Sequence, residues 1–162
     1  MVLLSLRTAT ESDVPLILQF IRDLAEYERL AHACVATEES LRETLFGEKR
    51  YAEVILAEQE GRPAGFALFF HNYSTFLARP GIYLEDLYVR PELRGQGIGK
   101  ALLARLASLA VERKCGRLEW AVLNWNEPAI RFYRSLGALP QNEWTVYRVT
   151  GEELDRLAAH QI

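Results

Sequence analysis

Arg94-Gly95-Gln96-Gly97-Ile98-Gly99-Lys100 is the stretch from which this chain is best read. A strand-like run, Tyr83 to Val89, leads into it, and a long apolar-periodic segment, Ala101 to Val111, leads out. A strand, a glycine-rich turn and a helix in that order aim a row of backbone N–H groups at an anion. Glycine at alternate positions removes side chains that would collide with a phosphate, and permits positive φ where the turn needs it. Arg94 and Lys100 add a positive charge at either end. Taken alone, the turn has two readings: a pyrophosphate cradle, or a tight strand–helix connection rich in glycine.

The totals bound the answer. At 162 residues the chain suits one domain, 1–162, large enough to bury a core. Apolar residues make up 49% and charged residues 25%, a soluble globular balance. No apolar run approaches the roughly 18 residues of a membrane span. The N-terminus lacks a basic n-region and reaches Arg7 and Glu11 directly, so a signal peptide is not expected and the cytoplasm is the expected compartment. A net charge of −3 does not suggest a nucleic-acid partner. Cys34 and Cys115 are far apart and read as free thiols. His32, His71 and His160 have no ligand spacing, and no metal is expected.

Leu4 to Arg7 alternates as a first strand, and Thr10-Glu11-Ser12-Asp13 starts a helix that runs from Val14 to about Tyr27 or Arg29. Leu30 to Ala36 is an irregular connection of the kind that carries binding groups. Thr37-Glu38-Glu39-Ser40 starts a second helix, closed by Gly47. Tyr51 to Glu58 and Ala64 to His71 form a hairpin about Glu60-Gly61-Arg62-Pro63. Asn72 to Gly81 reads as a loop, and Ile82 to Val89 as the strand before the glycine turn. After the long helix, which Cys115-Gly116 ends, come a strand Leu118 to Leu123 and a short helix opened by Asn126-Glu127-Pro128. Trp144 to Val149 reads as a last strand and Gly151 to His160 as a terminal helix. The order β-α-α-β-β-β-α-β-α-β predicts an α/β (α+β) fold, a mixed sheet with helices on both faces.

Two elements occur together: Leu87-Tyr88-Val89-Arg90-Pro91 running into Arg94 to Gly99, and Asn124-Trp125-Asn126-Glu127-Pro128-Ala129-Ile130-Arg131-Phe132-Tyr133. In this combination the chain resembles the GCN5-related N-acetyltransferases (GNAT). Their acetyl-CoA signature, Arg/Gln-x-x-Gly-x-Gly/Ala after the fourth strand, is matched in full by Arg94 to Gly99. A dinucleotide site would place the glycines after a first strand, with an acidic residue about 20 positions on. The resemblance covers the whole chain in element order. It is closest to the spermidine/spermine and thialysine N-acetyltransferase branch, on Glu26-Tyr27-Glu28, Tyr83-Leu84-Glu85-Asp86-Leu87, Trp125-Asn126-Glu127-Pro128 and Phe132-Tyr133. It implies a mostly antiparallel sheet of the acyl-CoA N-acyltransferase type, and acetyl-CoA as cosubstrate.

The same resemblance implies roles. Leu87, Tyr88 and Val89 would offer edge-strand backbone groups to the pantetheine arm. Arg94, Gly95, Gln96, Gly97, Ile98, Gly99 and Lys100 would hold the pyrophosphate. Asn126, Glu127, Pro128 and Ala129 would line the rest of the CoA path. Tyr133 would stand beside the sulfur, and Tyr27, Glu28 and Glu85 would meet an amine. It also implies a bulge in the strand of Glu85, and a homodimer that pairs or exchanges C-terminal strands such as Trp144 to Val149.

The chemistry requires such groups. An alkyl amine of pKa about 10 is protonated at neutral pH and cannot attack a thioester until it loses a proton. A carboxylate can draw the ammonium in and take that proton, directly or through water; Glu85 is the candidate. On an unbroken strand Glu85 and Asp86 point to opposite faces. Tyr133 would protonate the departing thiolate. Glu26, Tyr27 and Glu28 with Glu85 and Asp86 form an acidic and aromatic set suited to a cation. Glu119 and Trp120, on the next strand, are candidates to line the acceptor channel. The reading is direct acetyl transfer to a small diamine, polyamine or thialysine-like amine. Its rivals are another acceptor (a protein amine, an amino acid, an aminoglycoside) and a non-catalytic acyl-CoA-binding module.

Overall fold

The computed structural model of the chain describes residues 2–160; Met1, Gln161 and Ile162 lie outside that range. Two compact units compose it, one ending at Leu123 and one starting at Asn124.

The first unit is built on five strands lying in sequence order: β1 Leu4–Thr8, β2 Glu53–Gln59, β3 Arg62–Ser74, β4 Arg79–Val89 and β5 Leu118–Trp120. β1 to β4 pair antiparallel and β5 joins β4 in parallel, which gives the mixed sheet that the element order predicts. A parallel neighbour requires a crossover, and the long helix after the glycine turn supplies it. In chain order the helices are α1 Val14–Tyr27, α2 Glu38–Phe46 and α3 Ile98–Glu112.

Period-two alternation sorts the strand residues between two faces. Val54, Leu56, Phe66, Leu68 and Tyr88 share one buried cluster with Val14, Ile17, Leu18, Phe20 and Leu24 of α1 and with Leu41 and Leu45 of α2. Ile55, Ala57, Ala67 and Phe69 fall on the opposite face and are buried there, as are Ile98, Leu102 and Leu106 of α3. Phe20 is the keystone of the first face. Its ring stacks on Phe66 at 5.5 Å between centroids, and replacement by alanine would cost about 3–5 kcal/mol.

The two ends of α1 are fixed by different chemistry. At its start, the Arg7 guanidinium donates to both carboxylate oxygens of Asp13, at 2.8 and 2.9 Å, and to Glu58 at 2.8 Å. Asp13 also accepts the Thr10 N–H at 2.7 Å, and Pro15 occupies the first turn, where its missing N–H has no helical acceptor to miss. At its end, Arg29 donates its N–H to the Glu26 carbonyl and Leu30 to that of Ala25. This is a Schellman closure, with Arg29 (φ 61) in the left-handed position that glycine usually fills. It folds Leu30 back over the last turn.

Three boundaries differ from the expected ones. β3 and β4 run on through the expected loop 72–81, pairing Tyr73 with Pro80 and Ser74 with Arg79, so only 75–78 turn. Polar side chains signal a loop, but the hairpin ladder satisfies the backbone whatever the side chains are. α3 stops at Glu112, because Lys114 (φ 56) takes the left-handed position and Cys115 donates to the Ala110 carbonyl at 2.8 Å. β5 is three residues long rather than Leu118 to Leu123.

The second unit holds α4 Glu127–Ser135 and α5 Gly151–Ala158. The Asn126 side chain caps α4 by accepting the Ala129 N–H at 3.4 Å, and Pro128 sits in the first turn. Gly137 (φ 86) closes α4, with Ala138 donating back to the Tyr133 carbonyl. The expected strand Trp144 to Val149 does not form: these residues join no ladder. Alternation shows which side chains suit a sheet, whereas a strand exists only where a neighbour accepts its backbone bonds.

Candidate active site

β4 carries the site because two of its regularities fail within five residues. On the β3 side, Asp86 pairs with Leu68 but Leu84 pairs with Phe69, so Glu85 is the extra residue of a β-bulge. Residues directly opposite each other share a face. Leu84 therefore goes with Phe69 to the α3 face, while Asp86 goes with Leu68 and Tyr88 to the α1 face. On the other side, the ladder to β5 ends at the Leu84–Trp120 pair. From Glu85 to Val89 the strand continues beyond β5, and Leu87, Tyr88 and Val89 present its outer edge.

A cavity of about 240 Å³ opens on the α1 face. Its walls are Ile21, Leu24, Ala25 and Glu28 from the end of α1, Leu30, Ala33 and Cys34 from the connection after it, and Asp86 from β4. Five of these are aliphatic, and the two carboxylates are the charged groups among them. Asp86 is poorly accommodated as an anion there. Burial first, then the charges of Glu85 and Glu28, push its carboxyl from 3.8 up to about 7. Burial and the Glu85 charge push Glu28 up as well. Glu85 itself is exposed at the bulge.

The glycine turn has the shape of a cradle. Gly95 (φ 77) and Gly97 (φ 86) are in the left-handed region, and a Cβ added at either would meet nothing within 4 Å. The space beside them is open. The first backbone bond of α3 runs from the Ala101 N–H to the Gly97 carbonyl. The N–H groups of Ile98, Gly99 and Lys100 therefore have no acceptor inside the helix and project from its positive end. An anion of pyrophosphate size fits this set of donors. The side chains of Arg94 and Gln96 face away from such a role. Arg94 Nε donates to the Val89 carbonyl at 2.9 Å, and Gln96 Oε1 accepts from Gln59 at 2.8 Å. Both brace the turn against the sheet, which leaves its backbone N–H groups to the open side.

Of the expected residues, the structure brings Glu28 and Asp86 together in the cavity, with Glu85 beside them on β4. Tyr27 lies just outside, its ring under Arg94. Glu119 is engaged elsewhere: Arg117 binds it at 2.7 Å and Asn72 donates to it at 3.1 Å, and neither Glu119 nor Trp120 is among the cavity walls. In the second unit, Asn126, Glu127, Pro128 and Ala129 form the start of α4. Tyr133 follows two turns later, its ring 5.5 Å from that of Phe132. The apolar walls Ile21, Leu24 and Ala25 went unread in sequence because they share the core periodicity of α1. The available signal was the irregular segment Leu30 to Ala36, placed directly after an acidic helix end.

A β4 that runs on past the end of β5, a bulge within it and a glycine turn feeding a helix define an acyltransferase scaffold. A profile of the Acetyltransferase (GNAT) family matches residues 18–138, a span that runs through both units, and the chain belongs to that family. It is 40% identical to the thialysine N-epsilon-acetyltransferase of Bos taurus, covering 98% of this chain and 99% of that one. It is 34% identical to the L-ornithine N5-acetyltransferase NATA1 of Arabidopsis thaliana, covering 94% and 86%. Among solved structures it is similar to the integron cassette protein VCH_CASS6 of V. cholerae. There the TM-score is 0.82 at 27% identity, with 97% and 98% of the two chains covered.

Proposed function

We propose that the chain works as a single N-acetyltransferase domain that moves the acetyl group of acetyl-CoA to the primary amine of a small cation. The acceptor class is a diamine, a polyamine or a thialysine-like amino acid. The observation that carries this reading is the cavity: two carboxylates, Glu28 and Asp86, set in an aliphatic wall beside the outer edge of β4. A carboxylate pair suits an ammonium head, and aliphatic walls suit the methylene stem behind it. The names of the thialysine and ornithine enzymes, both acting on small amines, support the same class.

Each group then has a task. The backbone N–H groups of Ile98 to Lys100, with the Lys100 ammonium, hold the pyrophosphate, while Leu87 to Val89 steer the pantetheine arm along the open strand edge. Asn126 to Ala129 are assigned to the same cosubstrate. The carboxylates of Glu28, Glu85 and Asp86 attract the acceptor and relieve it of a proton. The amine nitrogen forms a bond to the thioester carbonyl carbon, the carbon–sulfur bond breaks, and the Tyr133 phenol gives the departing thiolate a proton. Tyr27 offers an aromatic face to the cation's approach.

We propose further that the enzyme is cytoplasmic and a homodimer. Among the described residues no helix is long and apolar enough to cross a membrane. Trp144, Val146 and Tyr147 are 80%, 85% and 91% exposed, a row of apolar side chains that a second copy would cover. A thiol-release assay with acetyl-CoA and a panel of amines tests the main reading. Turnover is expected on diamines, polyamines and thialysine. Tight acetyl-CoA binding with no turnover on any amine would make the chain a binding module, and preference for peptides or aminoglycosides would move the acceptor.

A further inference from the structure

We propose that the aliphatic stretch of the cavity is a subsite for an uncharged tail, so that the enzyme also acetylates primary monoamines with a plain alkyl or arylalkyl chain, and that Ala25 and Ala33 limit the length of that chain. The proposal rests on the amine-acetyltransferase reading and specifies the far end of the acceptor.

The cavity wall is graded along the end of α1. Ile21, Leu24, Ala25 and Glu28 stand three or four positions apart and so share one helix stripe. The rise from Ile21 to Glu28 is about 10 Å at the helical repeat. Glu28 ends the stripe, near enough to Asp86 for its charge to act on that carboxyl. The polar end of the cavity is therefore at the end of α1, and two turns of aliphatic wall lie behind it. Leu30, folded back by its N–H bond to the Ala25 carbonyl at 2.8 Å, adds a further aliphatic group. Ala33 and Cys34 add a methyl and a thiol, and a free thiol behaves as a small hydrophobe.

This grading treats the two ends of an acceptor differently. An ammonium at Glu28 and Asp86 meets charge of opposite sign. A second ammonium in the aliphatic stretch meets none, because among the described residues Glu28 and Asp86 are the cavity's charged walls. An ion buried without a partner loses its hydration uncompensated. Burial is also the largest cause of the rise of the Asp86 carboxyl to about 7, so this wall solvates charge poorly. An uncharged tail gains by leaving water in the same place. The room is sufficient: the cavity holds about 240 Å³, and an apolar cavity of about 150 Å³ is enough for benzene. The two small side chains, Ala25 and Ala33, keep the stretch open. The reaction is the one written above: nitrogen bonds to the acetyl carbon and the carbon–sulfur bond breaks. Of the two protons that R–NH3⁺ loses, the balance leaves one on the CoA thiol and one in solvent.

The test is a thiol-release assay with acetyl-CoA and straight-chain primary amines from ethylamine to hexylamine, with phenethylamine and 1,4-diaminobutane beside them. The monoamines share a pKa of about 10, so the fraction of free amine does not vary along the series. In the wild type, kcat/KM should rise about two- to fourfold per added methylene, the gain expected from burying each one. Hexylamine and phenethylamine should then exceed ethylamine about tenfold or more. Ala25→Leu and Ala33→Leu fill the stretch, and each should cut the hexylamine-to-ethylamine ratio about threefold or more. His32→Leu, exposed on the same turn as Ala33, should keep the ratio. A purely structural defect would lower all amines together and leave the ratio alone. A wild-type ratio near one, or a ratio unchanged in both leucine variants, overturns the proposal. If Ala25→Leu does not fold, Ala33→Leu, at an exposed position, decides. Turnover of 1,4-diaminobutane with none on any monoamine overturns the tail subsite and leaves the parent reading standing. No turnover on any amine refutes the parent reading instead.

Discussion

The Arg94 guanidinium carbon lies 4.9 Å from the centre of the Tyr27 ring, so the first residue of the glycine turn rests on the last residue of α1. The same guanidinium lies 5.6 Å from the Tyr88 ring. One side chain thus ties the turn to β4 and to the helix end that leads into Glu28. A cation–π contact at a partly exposed site is worth about 0.5–1 kcal/mol. Tyr27→Leu should weaken acetyl-CoA binding about two- to fivefold by isothermal titration calorimetry. Tyr27→Phe, which keeps the ring face, should bind as the wild type does. Equal losses in both would mean that the ring face is not what seats Arg94.

Gly97 caps α3 with φ 86, and its absent Cβ faces open space. Two effects can be separated there. Gly97→Ala meets only the left-handed backbone penalty, about 1–2 kcal/mol, and should lower Tm by a few degrees with a modest loss of affinity. Gly97→Asp adds a carboxylate where the pyrophosphate would lie, and should abolish detectable acetyl-CoA binding at a similar Tm. Comparable affinities for the two variants would remove the anion from this turn.

Tyr133→Phe keeps the ring and deletes the hydroxyl proposed as the acid. Loss of a general acid contributes typically 10²–10⁴-fold, so kcat should fall about a hundredfold or more with acetyl-CoA affinity nearly intact. Unchanged steady-state turnover would take Tyr133 out of the mechanism.

Asp86 should destabilise the fold while it serves the site. Its folded carboxyl is raised from 3.8 to about 7. Folding therefore favours its protonated form, and that contribution is complete below pH 3.8 and is lost as pH rises through about 7. Asp86→Asn should leave stability near pH 4 almost unchanged and raise it by about 1–3 kcal/mol near pH 8. Urea denaturation at the two pH values measures the difference. An equal effect at both would show that Asp86 is not charged against its surroundings.

Asp13 is the opposite case. Hydrogen bonds from Arg7, chiefly, hold its carboxyl near 2 against 3.8. Its contribution is present above 3.8 and fades as pH falls through about 2. The Arg7 side chain is 40% exposed, so solvent screens the pair. Asp13→Asn should cost about 1–2 kcal/mol at pH 7, with the gap closing toward pH 2 in thermal unfolding.

The glycine turn, the helix starts at Thr10 and Thr37 and the strand alternation were legible in the sequence because each is a local event. A turn needs particular φ values, a cap needs an oxygen three residues from an N–H, and a face needs period two or 3.6. Those signals sufficed for the order of elements as far as α4 and for the family to which they belong. Helix ends were less legible, because Arg29 and Lys114 occupy left-handed positions that composition assigns to glycine. The strand at Trp144 to Val149 was misread for a related reason: pairing depends on a neighbour that the segment does not contain.

The roles of adjacent carboxylates lay beyond sequence altogether. Glu85 and Asp86 are the same kind of group one position apart. Only the register against β3 decides that Asp86 enters the cavity under α1 while Glu85 faces solvent. The cavity, too, exists only once the Leu30 to Cys34 segment folds back over the end of α1. Sequence determined what could bind the donor, through backbone groups that any glycine turn of this pattern presents. Tertiary structure decided which carboxylate lines the cavity, because one inserted residue in a strand reverses every face beyond it.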